Sequence, residues 1–213
     1  MQHDFRYVSN NEAKDVKKEL IEIIHQVQDA VRDHFTFNYW FIGSSDRNMI
    51  TYDAKSNIGF DFDINIQVND DEEDYSPEEI KRILRLAFDS VVLRYGYDHC
   101  EDSTRVLTIK FKDRAHSSIL HSCDFAIVYN CGNGRQQYIH FNKKQIQYSW
   151  EYQPKGYQLL PQKIEWIKAN GLWGTLRDLY IEKKNYNDNP DKHSRAIFAE
   201  TVAEICQKYG YHN

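Results

Sequence analysis

No stretch of this 213-residue chain approaches the ~20 consecutive apolar residues of a membrane helix, so no membrane partner is expected. The opening residues, MQHDFRYVSNNEAKD, lack the apolar centre of a secretory signal, which points to a cytoplasmic protein. The 4 cysteines (Cys100, Cys123, Cys131 and Cys206) contain no C-x-x-C pair. Free thiols in a reducing compartment fit that scatter better than a disulfide framework. Closed zinc sites pair their ligands at C-x-x-C-like or H-x₃-H-like spacings, and neither His99-Cys100 nor His121-x-Cys123 matches. No local motif marks a Cys–His hydrolase. Internal repeats, low-complexity tracts and long linkers are also missing.

Excess positive charge is lacking too. Lys and Arg number 27 against 32 Asp and Glu, a net charge of −5, so strong DNA binding is not expected. The imbalance is uneven. Residues 1–130 hold 15 basic and 24 acidic side chains (−9), and residues 131–213 hold 12 and 8 (+4). An acidic front and a mildly basic back would suit a phosphate-bearing substrate held through metal ions. Acidic loops such as DDEED at 70–74 give the same numbers with no such meaning.

What is present reads as an α+β chain. Val16, Leu20, Ile23, Ile24, Val27 and Val31 recur at helical steps, which predicts a helix over 11–34 that Ser9 or Asn10 can cap. An aromatic, β-prone run over 35–42 predicts a strand that Gly43 breaks. Residues 44–58 read as a short helix or turn and then an exposed loop. Phe60, Phe62, Ile64, Ile66 and Val68 alternate with Asp61, Asp63, Asn65 and Gln67, the period of a half-buried strand. Ser76-Pro77-Glu78-Glu79 opens a helix with an N-cap, a first-turn proline and a Glu at the third position. Strands are expected over 105–112, 119–129 and 136–141, with a hairpin at Gly132-Asn133-Gly134. Residues 142–158 read as irregular, and three helices follow. The expected division is a catalytic domain over 1–150 and a helical extension over 151–213.

Three features carry chemistry. Asp61 and Asp63, two apart on a strand, project from one face, where paired carboxylates repel unless a cation lies between them. Hard divalent cations such as Mg²⁺ take oxygen ligands of this kind. Asp124 lies in the apolar run SCDFAIV, where a lone carboxylate is costly unless paired or metal-bound. Its bland explanation is a salt bridge to Arg105 or Lys110. Gly43-Ser44-Ser45 follows a strand, where backbone N–H groups and hydroxyls could meet a phosphate. Arg47 could reach the same phosphate or stand solvated. Lys143, Lys144 and Lys155 could grip a nucleotide. Tyr148, Trp150 and Tyr152 alternate and could stack a base or simply form a strand. Arg177, Lys183 and Lys184 read as the solvated face of a helix.

The order apolar strand, Gly43-Ser44, spacer, Asp61-Phe62-Asp63, helix, strand and Asp124 resembles the DNA polymerase β-type nucleotidyltransferase superfamily over about residues 11–130. The spacer from Ser44 to Asp61 is longer than the family pattern, and the C-terminal part is shorter than the helical domain of the polymerase-like and oligonucleotide-synthase members. The resemblance implies a mixed β-sheet flanked by helices with a short C-terminal helical tail. It implies an NTP substrate, two Mg²⁺ ions (or Mn²⁺), and transfer of a nucleotidyl group to a hydroxyl with release of pyrophosphate. Asp61, Asp63 and Asp124 would be the catalytic, metal-binding carboxylates. Gly43, Ser44, Ser45 and Arg47 would lie at the triphosphate. The acceptor stays open among small molecule, nucleotide, RNA and protein. Two rivals remain: a non-catalytic nucleotide-binding or interaction module on the same fold, and a toxin- or antitoxin-type nucleotidyltransferase.

Overall fold

The computed structural model describes residues 3–70, 73–153 and 159–211. In chain order the elements are β1 (Phe5–Tyr7), α1 (Asn10–Val31), β2 (Thr36–Ile42), α2 (Gly43–Asp46), β3 (Thr51–Asp53), β4 (Ile58–Asn69), α3 (Pro77–Val92), β5 (Glu101–Asp102), β6 (Val106–Asp113), β7 (Ser118–Asn130), β8 (Gln136–Asn142), β9 (Gln147–Tyr152), α4 (Leu160–Ala169), α5 (Trp173–Tyr186) and α6 (Ser194–Tyr209). The chain divides into two compact units. One comprises Val8–Ile50 and Asn57–Gln153, the other Met1–Tyr7, Thr51–Ser56 and Pro154–Asn213.

The larger unit is a mixed sheet in the order β2-β4-β7-β6-β5. β4 and β7 run parallel at its centre, and the pairs on either side are antiparallel. β8 pairs with the far end of β7, and β9 with β8. Phe60, Phe62, Ile64, Ile66 and Val68 are buried on one face of β4, as their alternation requires. Cys123, Phe125 and Ile127 continue that buried face on β7. α1 and α3 cover it with Leu20, Ile23, Ile24, Val27 and Val31, and with Ile80, Leu84, Phe88, Val91 and Val92. Phe88 and Phe125 meet with ring centroids 4.3 Å apart.

Local chemistry sets the ends of these helices. Ser9 Oγ accepts the Glu12 N–H at the start of α1. Ser76 and Glu79 exchange side-chain and backbone bonds at the start of α3, the reciprocal box the sequence predicts. Lys81, 1 % exposed, forms an ion pair with Asp102 Oδ1 and donates to the Ser103 carbonyl, at 2.7 Å each. Tyr148 donates to the other Asp102 oxygen at 2.8 Å, so one buried ion pair ties α3 to β5 and β9. Burial outweighs this partner and pulls the Lys81 ammonium below its ordinary pKa.

His121 and Cys123, weighed above for zinc, belong to the core. His121 stacks on Phe111 with centroids 5.0 Å apart, bonds Tyr97 Oη at 2.8 Å, and is pushed down to about 4 by burial. In the smaller unit, Lys184 departs from the solvated face expected of it. It is 5 % exposed, bonded to Thr51 Oγ1 at 2.7 Å and seated 3.9 Å from the Phe5 ring centre. Lys183 pairs with Glu204 at 2.6 Å. Among the described residues, no helix is long and apolar enough to cross a membrane.

Gly59 marks a close approach of β4 to β7. A Cβ there would fall 1.9 Å from the Leu120 carbonyl oxygen, which backbone cannot yield cheaply. Gly59→Ala is expected to cost about 1–3 kcal/mol, read as a lower denaturant midpoint at unchanged m-value. Wild-type stability in that variant would contradict the close approach.

Candidate active site

The face of the sheet opposite α1 and α3 carries the three aspartates. On β4, Asp61 and Asp63 point away from the Phe60–Phe62–Ile64 face, as period two demands. On β7 the same rule turns Asp124 away from Cys123 and Phe125. The parallel register then makes Asp63 the direct partner of Asp124, and Asp61 the partner of Ser122. Antiparallel pairing continues the Asp63–Asp124 row into Thr108 on β6 and Glu101 on β5. At the other end of the row stands Ile42, the last residue of β2. Five strands thus bring residues far apart in sequence onto one line.

The glycine turn abuts this row. Gly43 has φ of 65°, the left-handed region where glycine is at ease. A Cβ on it would fall 2.9 Å from Asp63 Oδ2, so the backbone turn and the carboxylate are immediate neighbours. Ser44 is half-buried in α2, and its carbonyl accepts the Met49 N–H at 2.9 Å. Ser45 faces inward. Its hydroxyl is buried and donates to the Ile42 carbonyl at 2.6 Å, with the Asp63 carbonyl 3.4 Å away. It braces the turn against β4. Arg47, half-buried, lies close enough for its positive charge to act on Asp63.

Crowding of like charge shows in the protonation equilibria. Burial, reinforced by the charges of Asp61 and Asp124, pushes the Asp63 carboxyl up to about 7, against the pull of Arg47. Asp124 is also raised, chiefly by burial, while a hydrogen bond from Thr108 holds it down. That bond, Thr108 Oγ1 donating to Asp124 Oδ1, measures 2.6 Å. Neither salt bridge weighed above for Asp124 forms: Lys110 pairs with Glu101 at 2.6 Å, and Arg105 lies over the Tyr138 ring at 5.1 Å.

The donor set is all oxygen, the chemistry a hard divalent cation prefers. Burial and like-charge crowding raise Asp63, and such a cation would relieve the crowding. The carboxylates are not already drawn together: among the described residues, no three His, Cys, Asp or Glu side chains form a closed cluster able to hold an ion. Like-charge repulsion and the turn of Asp124 toward Thr108 are consistent with that spacing.

The aromatic residues weighed for base stacking lie elsewhere. Register carries the aspartate face from Val128 to Tyr138 and on to Glu151. Tyr148, Trp150 and Tyr152 therefore occupy the opposite face, where Tyr148 stacks on Phe141 with centroids 4.3 Å apart. Lys143 and Lys144 are exposed in the β8–β9 turn, and Lys155 lies outside the described residues. Thr108 escaped the sequence reading. Its signal was the alternation of RVLTIKFK, which sets Val106, Thr108 and Lys110 on one face.

Among solved structures the chain is similar to the DncV cyclic AMP-GMP synthase of Vibrio cholerae. With that enzyme in complex with the linear intermediate pppA(3′,5′)pG, the TM-score is 0.64 at 12% identity, over 100% of this chain and 70% of the other. A second structure of the same synthase, described as a prokaryotic cGAS homologue, gives 0.66 at 11% identity over the same shares. Escherichia coli DncV in its 3′-deoxy GTP-bound form gives 0.55 at 15% identity, over 98% of this chain and 55% of that one. No protein-family model and no curated protein sequence matches. At these identities the likeness establishes the fold: a central mixed sheet flanked by helices, followed by C-terminal helices, as in nucleotidyltransferase-type enzymes.

The Asp63 carboxyl supplies a direct check of the site in the metal-free protein. Its pKa is raised by folding, so the folded state binds a proton that the unfolded state releases from about pH 4 upward. Stability should therefore fall as pH rises from about 4 to 7, by at most about 1.4 kcal/mol per unit, and level off above that. Carboxyl-resolved NMR should show Asp63 titrating near 7, and Asp63→Asn should remove this contribution to the slope. An Asp63 midpoint near 4 would contradict the crowding.

Proposed function

We propose that the chain is a divalent-metal-dependent nucleotidyltransferase that moves a nucleotidyl group from an NTP to a hydroxyl. The observation that carries this reading is the row in which Asp63 and Asp124 are register partners, with Asp61 on the same face and Gly43 against Asp63. The likeness to cyclic AMP-GMP synthases over the whole chain supports the same chemistry. It also favours the ribose hydroxyl of a second nucleotide as the acceptor.

Each residue has a task in this scheme. Asp61, Asp63 and Asp124 would hold two Mg²⁺ ions, or Mn²⁺ in their place. When bound, the ions neutralise the triphosphate and favour the deprotonated acceptor. The backbone at Gly43 and Ser44 and the Ser44 hydroxyl would meet the phosphates. Ser45 keeps the turn in place, and Arg47 would add positive charge beside the triphosphate. The acceptor oxygen attacks the α-phosphorus as the bond from that phosphorus to the bridging oxygen breaks. Pyrophosphate departs, and the acceptor proton passes to the Asp124 oxygen that Thr108 does not engage. Most of the rate gain would come from positioning and charge compensation.

The test is incubation of the purified protein with each NTP and Mg²⁺, following pyrophosphate and identifying products by mass spectrometry. Asp61→Asn and Asp124→Asn are expected to lower turnover at least about a thousandfold, roughly 4 kcal/mol of barrier, with the fold intact by circular dichroism. Unchanged turnover in the folded double variant would refute the assignment. Nucleotide binding without pyrophosphate release, indifferent to Mg²⁺, would identify a non-catalytic module instead.

A further inference from the structure

We infer that Thr108 is a positioning residue of this site, holding the Asp124 side chain in one orientation on the aspartate face, with Oδ1 engaged by the hydroxyl. The inference rests on the reading of Asp124 as a metal-binding carboxylate.

Three observations meet at Thr108. First, it is the register partner of Asp124 on the side away from Asp63, so the carboxylate stands between a like charge and a hydroxyl. Second, its Oγ1–H donates to Asp124 Oδ1 at 2.6 Å, the length of a charge-assisted bond from a hydroxyl to a carboxylate oxygen. Third, its other cross-strand partner is Glu101, a third carboxylate on the row, whose charge Lys110 engages at 2.6 Å. Thr108 thus separates the carboxylate proposed for metal from the one already committed to a lysine.

The physical consequence is a division of labour between the two Asp124 oxygens. Oδ1 is engaged by the hydroxyl, which fixes the Asp124 side-chain rotamer and with it the carboxyl group. Oδ2 is left for the ion and for the acceptor proton. A ligating carboxylate whose second oxygen is hydrogen-bonded by a neighbour is better oriented, and loss of such a neighbour typically costs about 10–100-fold in metal affinity or activity. Threonine suits the place because its β-branched side chain fits a central strand with few rotamers, so its hydroxyl is delivered at little entropic cost.

The test compares Thr108→Val, which keeps the shape and removes the hydroxyl, with Thr108→Ser, which keeps the hydroxyl. Two readouts need no turnover: the Asp124 χ1 rotamer population from NMR couplings, and Mn²⁺ affinity of the nucleotide-free protein. Thr108→Val is expected to average the Asp124 rotamers and to weaken Mn²⁺ binding about 10-fold or more. It should lower kcat more than KM for the NTP, because the hydroxyl is not placed at the nucleotide. Thr108→Ser should restore the single rotamer and most of the affinity. A Thr108→Val protein that keeps one Asp124 rotamer, or a Thr108→Ser protein as impaired as Thr108→Val, would overturn the inference. If wild-type protein uses no NTP while the rotamer and Mn²⁺ effects hold, it is the transferase reading that falls, and the positioning role stands.

Discussion

Asp63 and Asp124 face each other across two parallel strands, and the cost of that like-charge pairing is the constraint on which the rest of the site depends. Neither side chain can move off the row without shifting the register of β4 against β7. That register is fixed in turn by the apolar face beneath, where Phe62, Ile64 and Ile66 lie beside Cys123, Phe125 and Ile127. A slip of one residue would send the aspartates into the helix-covered core and the aromatics into water. The hydrophobic core therefore sets the geometry of the charged face. Burial, with the neighbouring charges of Asp61 and Asp124 added to it, raises Asp63 to about 7.

Around this row the neighbouring elements divide the work. Ile42 ends β2 beside Asp63, and the chain then turns at Gly43 so closely that a side chain there would crowd the carboxylate. Ser45 spends its hydroxyl on bracing that turn. On the far side, Thr108 and the Lys110–Glu101 pair close the row. The Lys81–Asp102–Tyr148 network anchors the edge strands to α3 from the opposite face.

Much of this was legible in the sequence. The alternation of residues 60–68 sets the aspartate face of β4, and SCDFAIV marks Asp124 as a charge needing a reason. The Ser76–Glu79 box is readable because capping is local chemistry. The strands β1, β3 and β5 were not legible, since two or three residues carry no measurable period. β9 was half-legible: Tyr148, Trp150 and Tyr152 alternate, but the face they occupy follows from pairing with β8, which is non-local. The same limit hid Thr108, whose partner lies sixteen positions away on another strand. Lys184 was misjudged because the segments that bury it, around Phe5 and Thr51, are distant in the chain.

The central claim is that three carboxylates on one sheet face form a divalent-metal site for nucleotide chemistry. The most direct measurement is anomalous diffraction at the manganese edge from crystals grown with Mn²⁺ and a non-hydrolysable NTP. The account predicts anomalous peaks within coordination distance of Asp61, Asp63 and Asp124, with the triphosphate lying along Gly43 and Ser44. A bound nucleotide with no anomalous signal at these aspartates, or Mn²⁺ ordered only elsewhere, would contradict it.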